Sequence, residues 1–278
     1  MPTYVHPTTL AEAFELLGQE GDTRYLAGGT DLIVQLRDGM IAPAAVMDVK
    51  ALPELQGIEI NNEYLEIGAA VTFNEIIASS CVGDGCTLLK EAASTLANSL
   101  LRNRATLVGN LCNASPGADI APAALVLQGA LTTATPEGGR EIALKDFFVG
   151  VKKHALDANE LVTKVRFPVS KGRGIYLKKR RIRGHDLAQV GVAGFYGIDG
   201  SLRLSLGAVA ITPLLLDGFG TLGPDELARR RDEIVAEAAS AAKPISDVRA
   251  SKEYRIAMVK LFTERIIDAF ATGTEVQR

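Results

Sequence analysis

The chain has no tryptophan, only three cysteines and only three histidines in 278 residues. Each scarcity removes a class of function. Cys81, Cys86 and Cys112 are too few for a disulfide framework and odd in number, which fits a reducing compartment. They also fall short of an ordinary iron–sulfur ligand set. His6, His154 and His185 lie far apart in sequence, so no self-contained zinc motif is present. An excess of one charge is missing too: 30 basic against 33 acidic side chains leave a net charge of -3. Binding to nucleic acid or anionic lipid draws on a positive excess that this chain lacks. The longest mostly apolar stretch, residues 121–134, contains Gln128 and is shorter than the ~20 residues of a membrane helix. No basic stretch followed by an apolar core opens the sequence, so no signal peptide and a cytoplasmic location are the expectation.

What is present is ordinary for a globular protein, 47% hydrophobic and 23% charged. The pattern divides into three segments. In residues 1–53, Thr9 and Glu12 form a capping box before a helix whose apolar face is Leu10, Ala13, Phe14 and Leu17, stopped by Gly18 and Gly21. A strand over 24–26, a helical turn over 32–37 and a strand over 46–49 make a small α/β unit. Residues 54–171 open with strands over 55–60 and 64–68, joined across Asn61-Asn62. A second capping box, Thr72 with Glu75, and a helix over 87–97 follow. Asp119 is placed to cap a helix reaching Leu127, with Pro122 in its first turn. Strands are expected over 130–135, 141–144 and 160–167.

Residues 172–278 begin at Lys171-Gly172-Arg173-Gly174, the best linker candidate. Two strands, 190–198 and 202–210, meet at Asp199-Gly200, a favoured hairpin pair. Helices over 224–242 and 247–271 close the chain, the last with Tyr254, Met258, Leu261, Ile266 and Ala269 on the side that packs against the hairpin sheet.

Two loops stand out as candidates for chemistry. Leu26-Ala27-Gly28-Gly29-Thr30-Asp31-Leu32 follows a strand and precedes a helical turn. Glycines let a backbone approach an anion closely, and Thr30 adds a hydroxyl. A tight strand-to-helix turn without a ligand is the other reading. The second loop runs from Thr106 through Gly109, Asn110, Asn113 and Ala118 to Asp119, small and rich in amides over fourteen positions. That composition suits a pyrophosphate or ribose, with Asp119 available to accept from a ribose hydroxyl; long irregular loops are usually functional or disordered.

Other motifs fail. Gly83-Asp84-Gly85-Cys86-Thr87-Leu88 begins like a dinucleotide fingerprint but ends in leucine. There is no P-loop and no nucleophile elbow. The run Lys178-Lys179-Arg180-Arg181 has few aromatics beside it, which disfavours nucleic acid.

With both loops on view, the sequence resembles the FAD-binding medium subunit of molybdenum hydroxylases, the family of carbon monoxide dehydrogenase, xanthine dehydrogenase and 4-hydroxybenzoyl-CoA reductase. The resemblance covers essentially the whole chain. It runs through Tyr4-x-x-Pro7-x-x-Leu10-x-Glu12-Ala13, Ala27-Gly28-Gly29-Thr30-Asp31-Leu32, Leu101-Arg102-Asn103-Arg104 and Ala250-Ser251-x-Glu253-Tyr254-Arg255. It implies an α+β fold: N-terminal α/β (1–53) and middle α+β (54–171) domains of the FAD-binding PCMH type, then a C-terminal sheet packed with helices (172–278). It implies that Arg24, Tyr25, Leu26, Ala27, Gly28, Gly29, Thr30, Asp31 and Leu32 line the pyrophosphate and adenine side of FAD. Thr106, Gly109, Asn110 and Asn113 would contact the phosphates and ribityl chain, beside Ala118 and Asp119, with Val162 and Lys178 near the flavin ring.

The same resemblance implies an electron-transfer flavoprotein. Electrons would come from iron–sulfur clusters on a small subunit, fed by a molybdenum cofactor on a large subunit, and pass to NAD, a quinone, oxygen or another carrier. The implied assembly is a heterotrimer, commonly doubled, without nucleic acid or a membrane span. Three departures stand out. Val108 occupies a position where the family usually has glycine, costly if the backbone there needs positive φ. Leu187 stands where some members place an aromatic residue, and the cysteine insertion that holds an extra cluster in relatives resembling 4-hydroxybenzoyl-CoA reductase is missing. The rival is a stand-alone FAD oxidase of the vanillyl-alcohol type, which would need acid–base residues in a substrate cavity and often a covalent anchor on histidine or cysteine. A binding module that has lost FAD is a further alternative, against which Gly28, Gly29, Gly109 and Asp119 argue.

Overall fold

The computed structural model describes residues 1–83, 86–182 and 184–276; Asp84 and Gly85 of the fingerprint-like run lie outside the described residues. The N-terminal segment comprises β1 (Thr3–Val5), α1 (Leu10–Glu20), β2 (Thr23–Leu26), α2 (Leu32–Arg37) and β3 (Ala45–Asp48). The buried strand β3 pairs in parallel with both neighbours, giving the order β1-β3-β2. Helix α1 starts where the Thr9 hydroxyl accepts the Glu12 amide, but Glu12 reaches back to Thr8 rather than closing a box on Thr9. The helix continues past Gly18, and Gly21 ends it at φ +73°, a conformation glycine adopts without steric cost.

The middle segment holds β4 (Ile58–Asn61), β5 (Tyr64–Gly68), α3 (Phe73–Ala78), α4 (Thr87–Thr95), α5 (Ser99–Arg102), α6 (Leu107–Cys112) and α7 (Ile120–Val126). It continues with β6 (Ala130–Ala134), β7 (Glu141–Ala143), α8 (Leu144–Phe147), the short hairpin β8 (Phe148–Gly150) and β9 (Lys153–His154), and β10 (Leu161–Pro168). These strands form an antiparallel sheet in the order β4-β5-β10-β6-β7. Its first hairpin turns on Asn62 and Glu63, both at positive φ, one residue later than the asparagine pair suggests. The capping box of Thr72 and Glu75 is present at the start of α3.

The C-terminal segment holds β11 (Gly172–Lys179), β12 (Val190–Gly197), β13 (Leu202–Gly207), β14 (Leu214–Leu216), α9 (Pro224–Arg229), α10 (Arg231–Ala241) and α11 (Lys252–Thr272). Residues expected as a linker are instead the start of β11: Gly172 pairs with Gly197, where an added Cβ would stand 2.5 Å from the Tyr196 carbonyl oxygen. The four strands run antiparallel in chain order. Alternation gives this sheet two buried faces. Tyr176, Ala193 and Phe195 join the core of the first two segments, while Ile175, Leu177, Val192 and Leu204 face the terminal helices.

Two helix expectations change. The stretch 224–242 breaks at Arg230, whose guanidinium binds Glu233 and the Phe219 carbonyl. Helix α11 starts at Ser251, because the Asp247 carboxylate accepts the Arg249 and Ala250 amides and the Arg255 guanidinium rather than capping a helix. Its buried face is Arg255, Val259, Phe262, Thr263, Ile266, Ile267, Ala269 and Phe270; Tyr254 is exposed and Met258 and Leu261 only half-buried. The face is set by the sheet. Gly194 leaves room for Ile266 and Phe270, and Arg255 is buried because the Gln189 and Ala208 carbonyls accept from it. No helix among the described residues is long and apolar enough to cross a membrane.

Ile266 is fully buried against this glycine. Ile266→Ala is expected to lower stability by about 2–5 kcal/mol through the cavity it leaves, read from the midpoint of urea unfolding at unchanged m-value.

Candidate functional site

The first glycine loop lies directly against the chain that leads into the second. A Cβ on Gly28 would stand 2.1 Å from the Arg104 carbonyl oxygen and 2.9 Å from the Ala105 Cα, so only glycine permits this approach. Gly29 follows at φ +72°, and Asp31 stands at the head of α2 without capping it.

The second loop is not structureless. The Thr106 hydroxyl accepts the Gly109 amide at 3.0 Å and starts α6, a six-residue helix within what reads in sequence as a long irregular loop. A side chain on Gly109 would press on Thr106 Oγ1 at 2.7 Å. Val108 sits in the first turn of that helix with a helical backbone and a buried side chain, so it bears none of the positive-φ cost that its position raised.

Between the loops lies a cleft of about 1130 Å³. Arg24, Tyr25, Ala27, Gly28, Gly29, Thr30, Asp31, Leu32, Thr106, Gly109, Asn110, Asn113 and Val162 all line it. Two buried polar atoms on its wall, Tyr25 Oη and Asn110 Oδ1, have no hydrogen-bond partner among the described residues. Native proteins rarely leave such atoms unpaired except where a ligand or water meets them. Burial pushes the Tyr25 hydroxyl up to about 12, so it stays a neutral donor.

One polar chain spans the two loops. Asn113 Nδ2 donates to Asp31 Oδ1 at 2.8 Å, and Lys152 Nζ donates to Asn113 Oδ1 at 2.7 Å. Further in, the His154 ring stacks in parallel on Phe147 with centroids 5.6 Å apart. Burial, and then the nearby Arg24 charge, hold its imidazole below the ordinary value and favour the neutral form. The Glu160 carboxylate is buried and accepts from the Arg140 guanidinium, the Thr133 hydroxyl and the Asp157 amide. Arg140 foremost pulls it down to about 2. Lys152, His154 and Glu160 line the cleft but carry no sequence signal, because they arrive on a short hairpin and the turn after it.

Leu26, Ala118, Asp119 and Lys178 are not part of the cleft lining. Leu26 is a strand residue paired with Asp48. Asp119 precedes α7 but neither caps it nor faces the cleft; its carboxylate takes Lys178 Nζ at 2.7 Å and the Tyr176 hydroxyl at 3.3 Å. Both ends of the Asp119–Lys178 pair are buried, at 7% and 3% side-chain exposure. Burial raises Asp119 above the ordinary carboxylate value, and the Lys178 charge opposes that rise. Lys178 also donates to the Thr95 carbonyl at 3.1 Å. The pair ties α7 and α4 to β11, so Lys178 does not enter the cleft that Val162 lines.

A dinucleotide-sized cleft between two glycine loops, walled by unpaired polar atoms, defines an α+β protein that binds a phosphate-bearing organic cofactor. Residues 1–170 match the family described as the FAD binding domain in molybdopterin dehydrogenase, and the chain belongs to that family. It is 30% identical to the xanthine dehydrogenase FAD-binding subunit of Escherichia coli O157:H7, over 99% of this chain and 98% of that one. It is 31% identical to the carbon monoxide dehydrogenase medium chain of Hydrogenophaga pseudoflava, over 96% of each. Among solved structures, reconstituted CO dehydrogenase from Oligotropha carboxidovorans superposes with a TM-score of 0.89 at 29% identity, over 99% of each chain. The chain is thus an FAD-binding oxidoreductase subunit of the molybdenum hydroxylase type.

Two outcomes follow from the charged groups. Glu160 is held below its unfolded value near 4.5, so its contribution is complete above that pH and lost as pH falls toward about 2. With the half-exposed Arg140 partner screened by water, about 2–3 kcal/mol of stability should vanish across that window; Glu160→Gln should remove that step from a stability-versus-pH profile. Lys178→Met should cost about 3–5 kcal/mol by stranding the Asp119 charge. Adding Asp119→Asn should restore most of the loss in a chemical denaturation series.

Proposed function

We propose that this chain is the FAD-carrying electron-transfer subunit of a molybdenum-containing hydroxylase or dehydrogenase complex. Electrons would reach it from iron–sulfur clusters on a small partner subunit, fed by a molybdenum cofactor on a large one. They would leave to NAD, a quinone, oxygen or another carrier. Relatives named as a medium chain and an FAD-binding subunit support an assembly with further subunits. On this reading the chain works with a small and a large partner, as a dimer of heterotrimers in the cytoplasm. Within the chain, residues 1–53 and 54–171 would hold the cofactor between them and residues 172–278 would brace them.

The observation that carries this reading is the match between cleft and ligand. Gly28, Gly29 and Thr30 on one side and Thr106, Gly109 and Asn110 on the other leave a groove without bulk, as a diphosphate requires. Tyr25 Oη and Asn110 Oδ1 await a partner there, one a donor and one an acceptor. The carbonyl of Asn110 would accept from a hydroxyl of the ribose or ribityl chain. The neutral Tyr25 hydroxyl would donate to a phosphate or ring acceptor. Bound FAD supplies the one- and two-electron redox chemistry; the protein's part is to bind it, orient it and exclude water. Cys112 also lines the cleft, but burial pushes its thiol up to about 12, away from the thiolate a covalent flavin link would use.

The purified chain should show flavin absorbance near one per chain, and acid or heat should release the colour into the supernatant as free FAD. Gly28→Val, which forces a side chain into the Arg104 carbonyl, should weaken FAD binding at least about tenfold, ~1.4 kcal/mol. A folded, colourless protein that takes up no added FAD would overturn the reading, and colour that stays with precipitated protein would favour a covalent oxidase.

A further inference from the structure

The first glycine loop ends in an acid, at the place where the cofactor reading puts a diphosphate. Asp31 is half-exposed and lines the cleft. A bare carboxylate there would repel the phosphates. It is not bare. The Asn113 amide donates to it at 2.8 Å, the Lys152 ammonium lies 3.9 Å away, and Lys152 in turn donates to the Asn113 carbonyl oxygen at 2.7 Å. The polarity runs one way along the chain, ammonium to amide to carboxylate, so each group makes a bond its chemistry permits.

The three residues come from the head of α2, the end of α6 and the turn between β8 and β9. The backbone commits Lys152 to this place. It stands at φ +57°, uncommon for a residue with a side chain, and its amide donates to the carbonyl of Ala114, itself at φ +44°. The other basic groups lining the cleft are otherwise engaged. Arg24 lies 3.6 Å from the Asp22 carboxylate, and His154 favours its neutral form.

We infer that Lys152 is the counter-charge of the cofactor diphosphate, acting in two ways. It neutralises Asp31 through Asn113, and it offers its remaining ammonium hydrogens, of which one bond to Asn113 uses only one, to the phosphate oxygens. This inference rests on the FAD reading above. The glycine loops supply shape; Lys152 supplies charge.

The test strips the full-length chain of flavin and titrates it with FAD at two or more salt concentrations. Lys152→Met should weaken FAD binding roughly ten- to a hundredfold and flatten its salt dependence. Lys152→Arg should stay within about threefold of the unsubstituted chain. Adding Asp31→Asn to Lys152→Met should recover part of the lost affinity, because the repulsion that Lys152 offsets is then gone while its direct bonds to the phosphate are not replaced. The flavin-free melting temperature of Lys152→Met should match that of the unsubstituted chain, since the side chain is half-exposed. Lys152→Met binding FAD within about twofold of the unsubstituted chain, or no recovery from Asp31→Asn, overturns the inference while leaving the flavoprotein reading intact. An unsubstituted chain that takes up no FAD overturns both.

Discussion

The contact on which the site depends is between two stretches of backbone. Gly28 lies so close to the Arg104 carbonyl that no side chain fits between them. That approach brings the turn after β2 against the chain between α5 and α6, and it places two glycine-containing turns on opposite walls of one cleft. The Phe73 amide donates to the Ala105 carbonyl, and Thr72 bridges Thr106, so the Arg104 side of the contact is itself held by α3. Thr106 then starts α6, whose far end carries Asn113 back to Asp31. The cleft is thus closed into a loop of contacts: glycine against carbonyl at one end, amide against carboxylate at the other.

The C-terminal segment acts on the site without lining it. Helix α7 is buried along its whole length and packs on β12 and β13, so the second loop is anchored from behind. Arg203 donates to the Val126 carbonyl at the end of α7, and the Ala208 amide donates to the Pro116 carbonyl within the loop. The buried Asp119–Lys178 pair adds an electrostatic tie at the start of the same helix. Because removing one member of a buried pair strands the other's charge, the tie penalises any arrangement that parts Asp119 from Lys178. The shared core carries this further, since Tyr176, Ala193 and Phe195 of the third sheet belong to the core of the first two segments.

Much of this is legible in the amino-acid sequence. The Gly28-Gly29 turn, the Thr72–Glu75 box and the α+β order all follow from local rules about φ, capping and periodicity. Other features failed for identifiable reasons. Helix α6 is hard to read because six residues are too few to establish a period and two of them are Gly109 and Asn110; it forms through one threonine cap and burial of Leu107, Val108 and Leu111. The Gly172 stretch looked like a linker because glycine and lysine rarely build strands, yet Gly172 is what lets β11 lie against the Tyr196 backbone. On helix α11, Ile266 and Ala269 pack as the pattern predicts, but the face turns toward Arg255 and away from Tyr254, because a buried arginine does not read as core.

The sequence by itself determined the class of site: small residues at 28, 29 and 109, hydroxyls at 30 and 106, and amides at 110 and 113, in two separate turns. Those are local properties, since a glycine's freedom and a threonine's cap depend on a few neighbouring residues. Only the tertiary structure decided which charges serve that site. Asp119 and Lys178, 59 residues apart, neutralise each other away from the cleft, while Lys152 reaches Asn113 across 39. A charge acts through distance and burial in space, and neither is written along the chain.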